Sequence, residues 1–119
     1  MGADVIYDPV GGEVFDQSIR CINWGGRLLI IGFAGGTIPT LSVNYPLIKG
    51  FSVVGVRAGE FGRRAPILGK ENIDIINSLA DDNKIRPHIC KVFDYKESKQ
   101  ALEYLENRKL IGKVVISIN

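Results

Sequence analysis

The stretch Leu28-Leu29-Ile30-Ile31-Gly32-Phe33-Ala34-Gly35-Gly36 decides the fold. An apolar run that ends abruptly in glycine has the pattern of a parallel strand, covered on both faces and turning sharply at its carboxyl end. Upstream, Val5-Ile6-Tyr7-Asp8-Pro9-Val10-Gly11-Gly12 repeats the pattern. Between the two, Phe15, Ile19 and Ile22 recur at i, i+4 and i+7, which is one face of a helix. Glu13 and Asp16 fall in its first turn, where they complement the positive end of the helix dipole. Asn23-Trp24-Gly25-Gly26 reads as the helix stop, with glycine available for a left-handed cap. The segment is therefore a strand-helix-strand crossover unit. In open α/β sheets, ligands lie in the crevice at the carboxyl ends of the strands. Glycine at such an end lets a ligand approach the backbone closely. Two glycine elbows in succession predict one wall of a nucleotide-type pocket.

Downstream, Thr37 to Val43 is extended and broken by Pro39, and Tyr45 to Lys49 fits one short helical turn. Phe51-Ser52-Val53-Val54-Gly55-Val56 reads as a third strand, and Arg57 to Arg64, with two glycines, as an exposed loop. Ala65 to Asp82 has the spacing of an amphipathic helix, with Ile67, Leu68, Ile73, Ile76, Leu79 and Ala80 on the inward side. The pattern then changes. Ile85 to Phe93 predicts a short strand, Tyr95 to Asn107 a helix with Ala101, Leu102 and Leu105 inward, and Lys113 to Ile118 a last strand. The expected organisation is residues 1–84 as one domain and 85–119 as a strand-helix-strand segment.

Composition bounds the function classes. The chain has 119 residues, 45% hydrophobic and 24% charged, which is ordinary for a globular domain with a modest core. Its net charge of +2 is too balanced to argue for nucleic acid or an anionic membrane. The run Leu28 to Ile31 is far too short to span a bilayer. Met1-Gly2-Ala3-Asp4 lacks the basic and apolar regions of a signal peptide. The two cysteines, Cys21 and Cys90, have no metal-type spacing and are expected to be buried packing residues in a reducing cytoplasm. A parallel strand that begins almost at once lacks a neighbour, which predicts that residue 1 is not the natural beginning of the fold.

The strings GADVIYDPVGG, GGRLLIIGFAGG, FSVVGVRAGEF and LIGKVVISI, in this order, resemble the medium-chain dehydrogenase/reductase superfamily and, within it, the zinc-independent quinone oxidoreductase branch. The resemblance covers essentially the whole chain and maps onto the C-terminal part of that family. It implies an α/β fold: the second half of a Rossmann-type parallel sheet with flanking helices, plus a C-terminal strand-helix-strand extension. The fingerprint G-x-G-x-x-G belongs to the other half, and Gly32 to Gly36 and Gly55 to Gly59 have the wrong spacing for it. By resemblance, Pro9, Val10 and Gly11 lie beside the nicotinamide ribose of NADPH, and Ile31, Gly32, Phe33 and Ala34 near its ring. Arg57 matches a position that reaches the cofactor in some relatives. The implied parent reduces quinones or activated enones by hydride transfer and dimerises through the edge strand Ser52 to Val56. Exposed apolar edges recruit other chains, so a homodimer is expected on physical grounds too.

Plainer readings stand beside these. Asp8 to Gly12 can be a simple tight turn, Phe33 a core aromatic, and Arg57 a solvated charge. Arg63-Arg64 reads as exposed charge, and Asp81-Asp82-Asn83 as a helix terminus. His88 has no histidine partner, and metal binding needs several ligands, so no metal is expected. No residue stands out as a general acid or base. The chain by itself can equally be a structural or dimerisation module: half a pocket without phosphate contacts predicts poor cofactor affinity and no activity. Residues 88–93 and 113–118 would pack on a catalytic domain in the parent. In the chain alone they must pair with each other, join the main sheet or become mobile.

Overall fold

The computed structural model describes residues 2–107 and 110–118. It divides into two compact units, Met1–Pro66 and Ile67–Asn119. In the first, β1 (Ala3–Asp8), β2 (Ile22–Ile30) and β3 (Ser52–Gly55) form a parallel sheet in the order β1-β2-β3. Asp8 pairs with Ile30 and Ile30 with Gly55, so the three strands end in line on one edge. Helix α1 (Glu13–Cys21) carries the chain from β1 to β2. Its Phe15 and Ile19, four apart, bury with Ile22, Leu28 and Phe51 into one cluster, against which Ile6, Ile30, Leu41 and Val53 pack. The buried Ser18 hydroxyl is satisfied within the helix by the Val14 carbonyl at 2.7 Å.

Asn23 to Gly26 does not cap α1, contrary to expectation. The helix closes at Cys21, and Ile22 is already extended. Asn23 to Gly26 instead forms a bulge inside β2: Ala3 pairs with Ile22, but Val5 pairs with Arg27. Asn23 anchors the bulge by bonding both backbone groups of Gly2 and the Asp4 carboxylate. Gly25, at φ +73°, donates its N–H to the Gly50 carbonyl. The end of α1 is capped from elsewhere. Lys49, the last residue of α2 (Asn44–Lys49), donates its Nζ to the carbonyls of Ile19 and, at 3.1 Å, Arg20.

Arg57 to Arg64 is not a loop: Ala58–Arg64 forms helix α3. The spacing Arg57-Glu60-Arg63-Arg64 explains it, because residues three and four apart are neighbours on a helix, and all three arginines pair with Glu60. Such pairs offset part of the helix cost of Gly59 and Gly62.

Helix α4 (Pro66–Asp81) forms as expected, but none of its residues is buried. Ile67 remains 75% exposed, and Leu68, Ile73 and Ile76 are also exposed. Its apolar stripe therefore has the expected spacing but stays unburied. Among the described residues, no helix is long and apolar enough to cross a membrane.

In the second unit, β4 (Ile89–Asp94) and β5 (Lys113–Ser117) pair in parallel through α5 (Ser98–Glu106). Of the fates open to these segments, mutual pairing is the one realised. A 3₁₀ turn, Tyr95–Glu97, precedes α5 because Asp94 and Glu97 form a reciprocal capping box. Among the described residues of this unit, Phe93 and Ala101 are buried, with the Tyr104 ring 5.9 Å from that of Phe93. Leu102 and Leu105, expected inward, are exposed. The cysteines depart from expectation as well: Cys21 is exposed and Cys90 half-buried, because Cys21 falls on the solvent side of α1 next to the buried Ile22.

Candidate functional site

The site is the carboxyl edge of the first sheet, and Asp8 organises it. Asp8 is 3% exposed. Its Oδ1 accepts the N–H groups of Val10 at 2.8 Å and Gly11 at 3.0 Å, folding the first elbow back over the end of β1. Its carbonyl accepts the N–H of Ile31 at 2.9 Å. The second elbow is then tied to the first: Ala34 donates to the Pro9 carbonyl at 3.0 Å and Gly35 to the Val10 carbonyl at 2.9 Å. Gly36 closes the turn onto the Phe33 carbonyl.

Close approach requires glycine at position 11. Its φ is +74°, and an added Cβ would lie 2.9 Å from the Thr37 carbonyl and 3.0 Å from Phe33 Cδ1. Gly32 is different. A Cβ there would meet only the Pro9 carbonyl, at 3.5 Å, and at Gly55 nothing within 4 Å. A first side-chain carbon would therefore fit without a clash at the ends of β2 and β3. Among the described residues, the Gly32 and Phe33 N–H groups have no hydrogen-bond acceptor.

Seven of the eight candidate residues are thus brought together: Pro9, Val10, Gly11, Ile31, Gly32, Phe33 and Ala34 form two facing elbows. Phe33, at 40% exposure, lies over the first elbow rather than in the core. Arg57 follows β3, the neighbour of β2, on the same edge; Val56 bonds the Ile30 carbonyl at 2.9 Å. Its guanidinium is 4.0 Å from Glu60 and largely solvated.

A hollow of about 290 Å³ adjoins the first elbow, lined by Gly12, Glu13, Asp16 and Thr37 to Thr40. The sequence reading did not single out Thr37 to Thr40; the signal was a proline-threonine stretch directly after a double glycine. Glu13 and Asp16, in the first turn of α1, place two negative charges on this hollow, which would repel a phosphate.

The fit to the groups that this fold class implies can be read from these donors. A nicotinamide end suits the elbows: the Gly32 and Phe33 N–H groups have no acceptor among the described residues, and the absence of a side chain at Gly32 lets a ligand approach the backbone. Zinc does not fit, since the described residues hold no group of three or more His, Cys, Asp or Glu side chains that could ligate it.

Comparison with known proteins agrees with this architecture. A family model described as zinc-binding dehydrogenase matches residues 1–116. The chain is 37% identical over 117 residues to a quinone oxidoreductase-like protein 2 homolog of Nematostella vectensis, covering 98% of this chain and 32% of that protein. It is 24% identical over 115 residues to an acryloyl-coenzyme A reductase of Metallosphaera sedula, covering 96% of this chain and 32% of that protein. The solved structure of mycobacterial Rv1454c complexed with NADPH superposes with a TM-score of 0.78 at 22% identity, over 98% of this chain and 36% of that one. The chain thus spans about a third of the length of each of these two relatives.

Proposed function

Because this chain belongs to the zinc-binding dehydrogenase family, matching the C-terminal portion of medium-chain dehydrogenase/reductase proteins, we propose that it forms the nicotinamide-facing wall of an NADPH-dependent oxidoreductase. The reaction is hydride transfer to a quinone or an activated enone. The observation that carries this reading is the pair of bonded elbows on one sheet edge, with the Gly32 and Phe33 N–H groups lacking an acceptor among the described residues. The names of the two relatives, a quinone oxidoreductase-like protein and an acryloyl-coenzyme A reductase, support the substrate classes.

When bound, the cofactor supplies the hydride. The chain's residues orient and shield. Pro9, Val10 and Gly11 would border the nicotinamide ribose, and the Gly32 and Phe33 N–H groups would donate to its carboxamide. Ile31, Phe33 and Ala34 would present an apolar surface that excludes water. Arg57 would reach toward the cofactor from the neighbouring strand. No side chain of these elements needs to act as acid or base, so the protein's contribution is placement. Residues 85–119 would pack on the catalytic domain, and the free thiols of Cys21 and Cys90 suit a cytoplasmic setting.

The reading is tested by NADPH oxidation in the presence of a quinone panel and an acyl-thioester enone, using a polypeptide that carries this chain within a family-length protein. Turnover is expected with at least one acceptor. Failure with both NADPH and NADH across the panel refutes it.

A second reading is favoured by the acidic start of α1 and the open β3 edge. The chain taken alone is a non-catalytic module that dimerises through Ser52 to Val56. Sedimentation at tens of micromolar is expected to give a dimer, and a clean monomer counts against this. Titration with NADPH followed by fluorescence is expected to give no micromolar binding.

A further inference from the structure

We propose that Asp8 is a positioning residue for the nicotinamide ring: acting through two rigid peptide units, it fixes where the Gly32 and Phe33 N–H donors stand. The hydrogen bonds of the first elbow divide by direction. The N–H groups of Val10, at 2.8 Å, and Gly11, at 3.0 Å, both reach Asp8 Oδ1. Pro9 has no N–H to place. The carbonyls go the other way: those of Asp8, Pro9 and Val10 accept the N–H groups of Ile31, Ala34 and Gly35 at 2.9, 3.0 and 2.9 Å. A peptide unit is planar, and in the trans form its N–H and C=O point in opposite directions. The unit joining Pro9 to Val10 is therefore held at both ends, by Asp8 through its N–H and by Ala34 through its carbonyl. The next unit, Val10 to Gly11, is held in the same way by Asp8 and Gly35.

The donors left free lie between the donors that are bonded. Ile31 precedes them and Ala34 and Gly35 follow, while the N–H groups of Gly32 and Phe33 have no acceptor among the described residues. Their position is set by the bonds on either side. Of those three bonds, two end on carbonyls whose planes Asp8 holds. Burying a carboxyl group costs free energy unless it is bonded, and Asp8, at 3% exposure, spends both of its side-chain bonds on these two planes.

The inference rests on the elbows facing the nicotinamide, as proposed above. A nicotinamide ring turned over about its bond to the ribose offers its other face to the substrate and carries its carboxamide to the opposite side. Two donors at fixed points keep the carboxamide on one side, and so select one face for hydride transfer. Without the Asp8 acceptor the two planes are free to rotate. The Pro9 and Val10 carbonyls then lose their aim at Ala34 and Gly35, the second elbow shifts, and the overturned ring is admitted.

The experiment compares Asp8→Ala with Asp8→Asn, whose side-chain oxygen still accepts two N–H groups. In the isotope-labelled 119-residue chain, NMR couplings through the hydrogen bonds from Ala34 N to the Pro9 carbonyl carbon, and from Gly35 N to that of Val10, should be present before any substitution. Their absence overturns the link whatever the variants do. In Asp8→Ala the Ala34 and Gly35 amides should exchange about tenfold faster relative to the Val56 amide, the scale of one lost hydrogen bond. Val56 bonds the Ile30 carbonyl on the β3 side, so it registers any general loss of stability. An unchanged ratio, or Asp8→Asn behaving like Asp8→Ala, overturns the proposal. In the family-length protein, NADPH deuterated on one or the other face of the nicotinamide C4 shows which hydrogen is transferred. The unsubstituted protein should use one face. Asp8→Ala should lower that preference about tenfold, with kcat falling and KM little changed, and Asp8→Asn should restore most of it. Strict one-face transfer by Asp8→Ala refutes the positioning role. Absence of turnover in the unsubstituted protein refutes instead the oxidoreductase reading, and nicotinamide positioning with it, while the exchange ratio still decides whether Asp8 holds the second elbow.

Discussion

Substituting Asp8 tests whether one buried carboxyl group shapes the whole rim. Asp8→Ala removes the acceptor of two backbone N–H groups, those of Val10 and Gly11, of which the bond to Gly11 is fully buried. A buried donor left unsatisfied costs about 1–3 kcal/mol, and the half-buried Val10 N–H recovers part of its loss by meeting water. The sum is about 2–3 kcal/mol. For a chain of this size, about 1 kcal/mol corresponds to a midpoint shift of roughly 4 °C, so Asp8→Ala should melt roughly 10 °C lower. Asp8→Asn keeps an oxygen at the same position and should recover more than half of the loss. Thermal and urea unfolding followed by circular dichroism supply the measurement. Asp8→Ala at wild-type stability would refute the reasoning. So would Asp8→Asn behaving as badly as Asp8→Ala, since that would make negative charge, rather than an acceptor at Oδ1, the requirement.

Other substitutions probe other links. Phe15→Ala empties the centre of the small core and should cost about 3–4 kcal/mol by urea unfolding. Gly11→Ala forces a Cβ against the Thr37 carbonyl at a positive φ and should cost about 2 kcal/mol, with the amide shifts of Phe33 to Gly36 moving by NMR. Lys49→Met removes the cap from the Ile19 and Arg20 carbonyls and should cost about 1 kcal/mol, with faster hydrogen exchange at the end of α1. Val54→Lys places a charge on the β3 edge and should weaken self-association by sedimentation without lowering the melting midpoint.

The parts of this fold legible in the sequence are those dictated by short-range pattern. The apolar runs ending at Asp8 and Ile31, and the Phe15/Ile19 face, determine the strands and α1 because each buries against the others within one unit. Where the sequence misled, a partner distant along the chain made the difference. Asn23 to Gly26 has the composition of a helix stop, but Asn23 bonds Gly2 and Gly25 bonds Gly50, which turns the segment into a bulge. The α1 cap comes from Lys49, thirty residues past Ile19. The α3 difference is of another kind: two glycines suggest a loop, while the three-and-four spacing around Glu60, equally local, supports the helix that forms. The apolar stripe of α4 was legible, but its burial was not, because periodicity reports what a face can bury and not whether a cover exists. At the site, glycine composition located both elbows. The bonds that join them depend on parallel register, which no local motif specifies.

Those bonds bear on how a ligand would be held. The elbows bond each other through the Pro9 and Val10 carbonyls and are pinned by Asp8, so their shape is complete without a ligand. Binding against them would order little backbone, and the conformational cost that usually erodes affinity would be small. The deficit lies in charge. The start of α1 is acidic, and the nearest excess of positive charge is at α3, off the first elbow by the width of β2. Rigid elbows with misplaced phosphate attraction should discriminate orientation well and bind weakly. Loosening the rim at Asp8 or Gly11 should therefore blur the orientation of a bound nicotinamide more than it changes the affinity.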